Sequence, residues 1–91
     1  MPREFRINVT TDKETGDLMA VYFQVRRGRA AKVREFSDGN ALANYNAAGE
    51  LLGIELLAPC KVSVVDTIAK RDSVVKKFVR SNAPRKMLVS R

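Results

Sequence analysis

Between residues 4 and 57 the chain alternates short apolar-patterned segments with turn signals, and no connection has room for a crossover helix. Parallel neighbours need a crossover of a dozen or more residues, so this spacing points to antiparallel pairing. "EFRINV" (4–9) sets Phe5, Ile7 and Val9 among charged or polar neighbours, the period of a half-buried strand. "TTDKETGD" (10–17) reads as a polar loop. "LMAVYFQV" (18–25) places Met19, Val21, Phe23 and Val25 on one face, with Ala20, Tyr22, Gln24 and Arg26 on the other. Arg27-Gly28 can turn the chain into a weaker third strand, "AKVREF" (31–36). "SDGN" (37–40) is a strong turn signal, "ALANYN" (41–46) a fourth strand, and "AAGE" a tight connection to "LLGIELL" (51–57). The expected sheet is an antiparallel β-meander of about five strands.

The fifth segment raises a question, because Glu55 interrupts an otherwise apolar run. Strict alternation places Leu52, Ile54 and Leu56 in the core and Leu51, Gly53, Glu55 and Leu57 on the opposite face. On that face Glu55 can reach water or an arginine of a neighbouring strand. Leu51 and Leu57 beside it call for a cover, either a helix edge or a subunit interface.

The period changes after Pro59. Ser63, with Asp66 three residues on, has the form of a capping box, and Val64, Val65, Ile68 and Ala69 follow at helical spacing. Asp72-Ser73 offers a second N-cap ahead of Val74, Val75, Phe78 and Val79. Lys76, Lys77 and Arg80 suit the end of that helix, where its dipole is negative. Pro84 stops it, and residues 84–91 form a basic tail. The fold class expected is α+β: a sheet over 4–57, then one or two short helices over 63–83 packed on one face, all in a single domain 1–91.

A chain of 91 residues has a modest core, which a second subunit would help. A homodimer is therefore expected, formed on the Glu55 face or along an edge strand. The apolar runs are far shorter than a membrane span needs. "MPREFRINV" lacks the apolar stretch of a signal peptide, and a lone Cys60 excludes an internal disulfide, so the expected location is the cytoplasm.

The net charge of +7 is unevenly spread. Residues 38–60 hold three acids and no base, whereas 61–91 hold nine bases and two acids. "RRGRAAKVR" (26–34) has five bases and no acid. Arg26, Arg27, Arg29, Lys32 and Arg34, on an expected hairpin, and Lys76, Lys77 and Arg80, on the helical segment, are the candidate contacts to nucleic acid or an acidic partner. The competing reading is a solvated basic surface without a ligand.

Motifs of chemistry are missing. The absence of histidine removes the usual general base and the usual metal ligand, and leaves no Ser-His or Cys-His pair. With one cysteine besides, no metal site and no cofactor are expected. Cys60 reads as a small core filler. Asp17, Asp38, Glu50 and Glu55 supply carboxylates but no pattern that pairs them. The glycines form neither GxGxxG nor a phosphate-binding loop. Tyr22, Phe23, Phe36 and Tyr45 fall on strands, where core packing competes with base stacking. No catalytic residue is assigned.

One stretch resembles a known pattern. "VYFQV", then "VREFSDGNALANYNAAGELLGIELLAP", is similar to a family of small bacterial proteins catalogued only as a domain of unknown function. The likeness covers about residues 5–60 and rests on a turn written here Asn44-Tyr45-Asn46-Ala47-Ala48-Gly49, followed by Leu52-Gly53-Ile54-Glu55-Leu56-Leu57. Acids are common in the family where this chain has Asn44 and Asn46. If those acids bind a cation in relatives, this chain lacks that ability. The resemblance implies a small antiparallel sheet with helical elements, in which Tyr45, Gly49, Gly53, Ile54 and Glu55 form a structural motif. It also implies an antitoxin-like or accessory role exercised through a protein partner. Three function classes are thus carried forward: a non-enzymatic interaction protein; as the alternative, a nucleic-acid-binding module using 26–34 and 70–80; and third, an enzyme, since absence of a motif is not absence of a site.

Overall fold

The computed structural model describes residues 3–89. It is α+β, with a five-stranded antiparallel sheet followed by two helices. The strands are β1 (Arg3–Thr11), β2 (Leu18–Arg26), β3 (Lys32–Phe36), β4 (Ala41–Tyr45) and β5 (Leu51–Leu56). A two-residue strand β6 (Cys60–Lys61) leads into α1 (Val62–Ala69) and α2 (Ser73–Asn82), and β7 (Leu88–Val89) closes the described chain.

The class and the five strands of the main sheet follow the sequence, the β6–β7 pair is unexpected, and the strand order refines the expected meander. The order is β1-β2-β5-β4-β3, so the hairpin β1-β2 and the meander β3-β4-β5 meet along β2 and β5. The burial explains the arrangement. β2 and β5 carry the fully buried Val21, Phe23, Val25, Ile54 and Leu56, and the two most apolar strands take central positions. β1 and β3 are almost wholly exposed and form the edges.

The helices lie on one face of the sheet. Val65, Ile68 and Ala69 of α1 and Val75 and Val79 of α2 join the sheet residues, Cys60 and Met87 in one buried cluster. Phe23, Ile54 and Leu56 are among its largest members, and burying each such side chain contributes about 1.5–3 kcal/mol. The tail is docked: β7 pairs with β6 in parallel, and Cys60 N–H donates to the Met87 carbonyl at 3.1 Å. Ser90 and Arg91 of that expected tail lie outside the described residues.

Two local expectations are corrected. Ser63 does not cap α1. The N-cap is Lys61, two residues earlier, which places Ser63 inside the first turn. The second cap forms as expected, with the Asp72 carboxylate accepting from Val75 N–H at 3.2 Å.

The other correction concerns the faces of β5. Asn44 pairs with Gly53, but Tyr45 pairs with Leu51, so one residue of β5 is extra and the alternation breaks there. This is a β-bulge, which reverses the facing of what precedes it. Leu51 consequently packs against the main core with Tyr45, not beside Glu55. Leu52 is buried outside that cluster, against the segment after β2; a Cβ at Gly28 would stand 2.8 Å from Leu52 Cδ2.

Candidate interaction surfaces

Three surfaces collect the residues that the sequence singles out: the open face of the sheet, the β1 edge and the β3 edge. On the open face, Tyr22 and Leu42 flank Glu55, and Gln24 and Asn44 flank Gly53. The Tyr22 ring and hydroxyl occupy the space that a Cβ at Gly53 would need, so only glycine lets the tyrosine lie across the strand. Burial raises the Tyr22 phenol above its ordinary value, offset in part by a hydrogen bond with Asn44 and reinforced by the Glu55 charge. Glu55 is half-buried and makes no ion pair among the described residues. With Leu51 turned away, this face lacks half of the apolar surface that pointed to an interface here. Tyr22, Gln24, Asn44 and Glu55 make its centre polar, with Leu42 and Val33 as apolar members toward the β3 side.

The β1 edge is different. Ile7 and Val9 lie opposite Phe23 and Val21, so they share the face that the helices cover. The cover stops short: Phe5, Ile7 and Val9 are 39%, 39% and 56% exposed, and Val74 on α2 is 55% exposed. Phe78 joins edge to core, its ring 4.7 Å from Phe5 and edge-on to Phe23 at 5.8 Å. Arg3 pairs with Asp72 and so ties β1 to the start of α2. Partial burial alone would push the Asp72 carboxyl up, but Arg3 and the Val75 N–H together hold it below the usual carboxylate value.

The β3 edge borders an open cleft of about 690 Å³ between the β4–β5 turn and the end of α1. Lys32, Arg34 and Lys70 line it above a floor that includes Tyr45, Leu51 and Ile68, and no acid is among its lining residues. The Arg34 guanidinium sits 5.4 Å from the Phe36 ring centre. Lys70 has φ +51°, a left-handed backbone that a lysine adopts at some strain, and its N–H closes α1 on the Asp66 carbonyl at 2.8 Å. Asn46 organises the neighbouring turn. Its Oδ1 accepts from the Ala48 and Glu50 N–H groups, and its Nδ2 donates to Glu50 Oε1. Gly49, with φ +85°, lies within that turn. The Asn46 amide, followed by the charge of Arg26, holds the Glu50 carboxyl below its ordinary value. The turn thus uses the donor that an aspartate at 46 would lack.

The basic residues do not form one patch. β2 and β3 are separated by β5 and β4, so the expected hairpin over 26–34 is instead a crossover along one end of the sheet. Arg26 is a structural group, 14% exposed, with Nε on the Leu51 carbonyl and NH1 on Glu50. Arg27 lies 3.4 Å from Glu4, and Arg29 is exposed on the crossover. Lys32 and Arg34 belong to the cleft. Lys76, Lys77 and Arg80 lie together on α2, and Lys77 also borders the groove of Phe5 and Val74 on the β1 side. The two edges are four strand spacings apart, about 19 Å. The sequence marks Lys70 only as part of the 70–80 patch; its place beside Lys32 and Arg34 depends on where α1 ends, and no local pattern shows that.

Among the described residues no group of three or more His, Cys, Asp or Glu could hold a metal ion. Cys60 is buried, and burial pushes its thiol up, away from the reactive thiolate. No helix of the described chain is long and apolar enough to cross a membrane. Compared with known proteins, the chain matches no family model, no curated protein and no solved structure.

Proposed function

We propose that the chain is a non-enzymatic interaction protein of the cytoplasm, a homodimer joined along β1, that serves as a small accessory subunit through a protein partner. The observation that carries this is the β1 edge: nine residues of open strand beside exposed Phe5, Ile7, Val9 and Val74. A long open edge with apolar side chains is a surface that soluble proteins cover. Antiparallel pairing of two β1 strands about Ile7 sets Phe5 against Val9 of the second copy. Arg3 and Arg6 then fall opposite Thr11 and Asn8, so like charges do not meet. The missing histidine, the unreactive Cys60 and the resemblance to small accessory-type proteins support the same reading.

The alternative, nucleic-acid binding, draws on one observation, the acid-free cleft at β3. Of the other candidate cations, Arg26 and Arg27 are in ion pairs, Arg29 stands on the crossover, and Lys76, Lys77 and Arg80 lie on α2, a scatter that favours the protein-partner reading over a phosphate track.

Light scattering tests the dimer. The expected mass at micromolar concentration is twice the chain's 10.2 kDa. Ile7→Lys combined with Val9→Lys should return a folded monomer. A wild-type chain that stays monomeric, or a double variant that stays dimeric, would remove β1 as the interface.

A further inference from the structure

We infer that the β3 edge and its cleft seat an extended acidic segment of a partner protein, added to the sheet as a sixth strand. The inference rests on the reading that this chain acts through a protein partner, and it names a site away from β1.

The geometry has three parts. First, β3 is paired on one side only, so its outer backbone groups are open to another strand. Second, the pairing of Lys32 with Tyr45, Arg34 with Ala43 and Phe36 with Ala41 puts these three on the helix face, toward the cleft that Lys70 also lines. Val33 points to the other face and is 54% exposed. Third, Lys32, Arg34 and Lys70 make no ion pair among the described residues.

An added strand presents alternate side chains to the two faces, and directly opposed residues approach to about 5 Å. Acids spaced two apart would meet Lys32 and Arg34, and the residue between them would cover Val33. Because the two cations flank Val33 symmetrically, an acid–apolar–acid sequence fits in either strand direction. The Phe36 ring beside the Arg34 guanidinium limits where that charge can go, and Lys70 adds a third cation at the cleft. The apolar floor of Leu51 and Ile68 suits a side chain of a peptide better than a phosphodiester backbone. A nucleic acid would also need a row of cations; Arg29 and Arg71 adjoin the cleft residues in sequence only as single exposed charges, and the next basic cluster is on α2, toward the far edge.

The probe is a fluorescein-labelled ten-residue peptide with glutamate and valine alternating through its centre, titrated by anisotropy at low and moderate salt. A glutamine-for-glutamate peptide and a random single-stranded oligonucleotide are run beside it. The expected result is saturable binding of the glutamate peptide, at least tenfold weaker for the Lys32→Ser, Arg34→Ser double variant and several-fold weaker for Lys70→Ser. These side chains are exposed, and an unchanged circular-dichroism melt shows that the variants are folded. Methylation of alternate backbone nitrogens in the peptide should abolish binding in at least one of the two phases. The inference is overturned by no binding at millimolar peptide, by equal binding of the glutamine peptide or of the double variant, by binding that both methylated peptides retain, or by an oligonucleotide that binds more tightly through the same residues. Light scattering on the same variants separates the two readings. Cleft variants should keep the dimer mass, and a monomer that still binds the peptide would sink the β1 dimer alone.

Discussion

The two edges of this sheet solve the same problem with opposite chemistry. β1 is nine residues long and carries an apolar stripe that α2 only partly covers. β3 is five residues long, turns Lys32 and Arg34 toward a cleft, and leaves Val33 bare on the other side. Each edge is supported by a polar clamp: Arg3 with Asp72 and the α2 cap at β1, and Asn46 with Glu50 in the turn beside the β3 cleft. An edge with an apolar stripe suits a like surface, and an edge with cations suits an acidic one. The same α+β frame can therefore offer two distinct surfaces at once.

The centre that holds both edges should show the largest effect. Ile54→Asp puts an unpaired charge at a fully buried site and should cost more than about 4 kcal/mol, leaving the chain unfolded or insoluble. Glu55→Gln, one residue along on the open face, should stay within about 1 kcal/mol. Urea melts of the pair check this, and comparable midpoints would mean that the faces of β5 are wrongly assigned beyond the bulge.

Phe78→Ala should come next, at about 2–3 kcal/mol, because its half-buried ring contacts both Phe5 and Phe23. Phe36→Ala at the other edge should cost less. Equal losses in thermal melts would erase the difference in anchoring between the edges.

Asp72→Ala removes the α2 cap and the tie to Arg3 and should cost about 1 kcal/mol at neutral pH. The folded carboxyl titrates below its unfolded value, so its contribution is complete above the unfolded value. That contribution disappears as pH falls through the lowered folded value. The gap between wild type and variant should therefore close in acid, and a gap that is constant across a pH series of melts would contradict the clamp.

The smallest expected effect is at the β3 clamp. Asn46→Asp keeps the acceptor for the Ala48 and Glu50 N–H groups but sets a second carboxylate against Glu50. The pair would resist full ionisation, so the variant should melt lower at neutral pH and approach wild type as acid protonates the pair. A deficit that grows in acid would mean that the Ala48 and Glu50 N–H groups stabilise the new carboxylate more than Glu50 repels it.

Much of the frame was legible in residue order. Alternation located five strands, and the turn residues at 37–40 and 47–50 separated β3, β4 and β5. The Asp72 cap was also readable, because an aspartate before a helical stripe acts within one turn. The false cap at Ser63 shows the limit of that rule: β6 pairs with β7 and delivers the chain to α1 two residues early. The candidate sites were less legible. Eight arginines and lysines were visible as a list, but whether each was clamped, exposed or beside the cleft depended on neighbours far away in sequence.

What the sequence determined by itself is periodicity and turn chemistry, since both arise from contacts within a few residues. Hence the α+β class, the antiparallel strands and the absence of histidine chemistry came from it directly. What only the tertiary structure decided is which strands meet. β5 inserted beside β2 because joining the two most apolar strands buries the most surface, and that choice sent β1 and β3 to opposite edges. The bulge at Leu51–Leu52 followed from the pairing with β4, and it moved Leu51 from the open face into the core. Long-range pairing is a sum of burial over the whole sheet, and no local segment carries that sum.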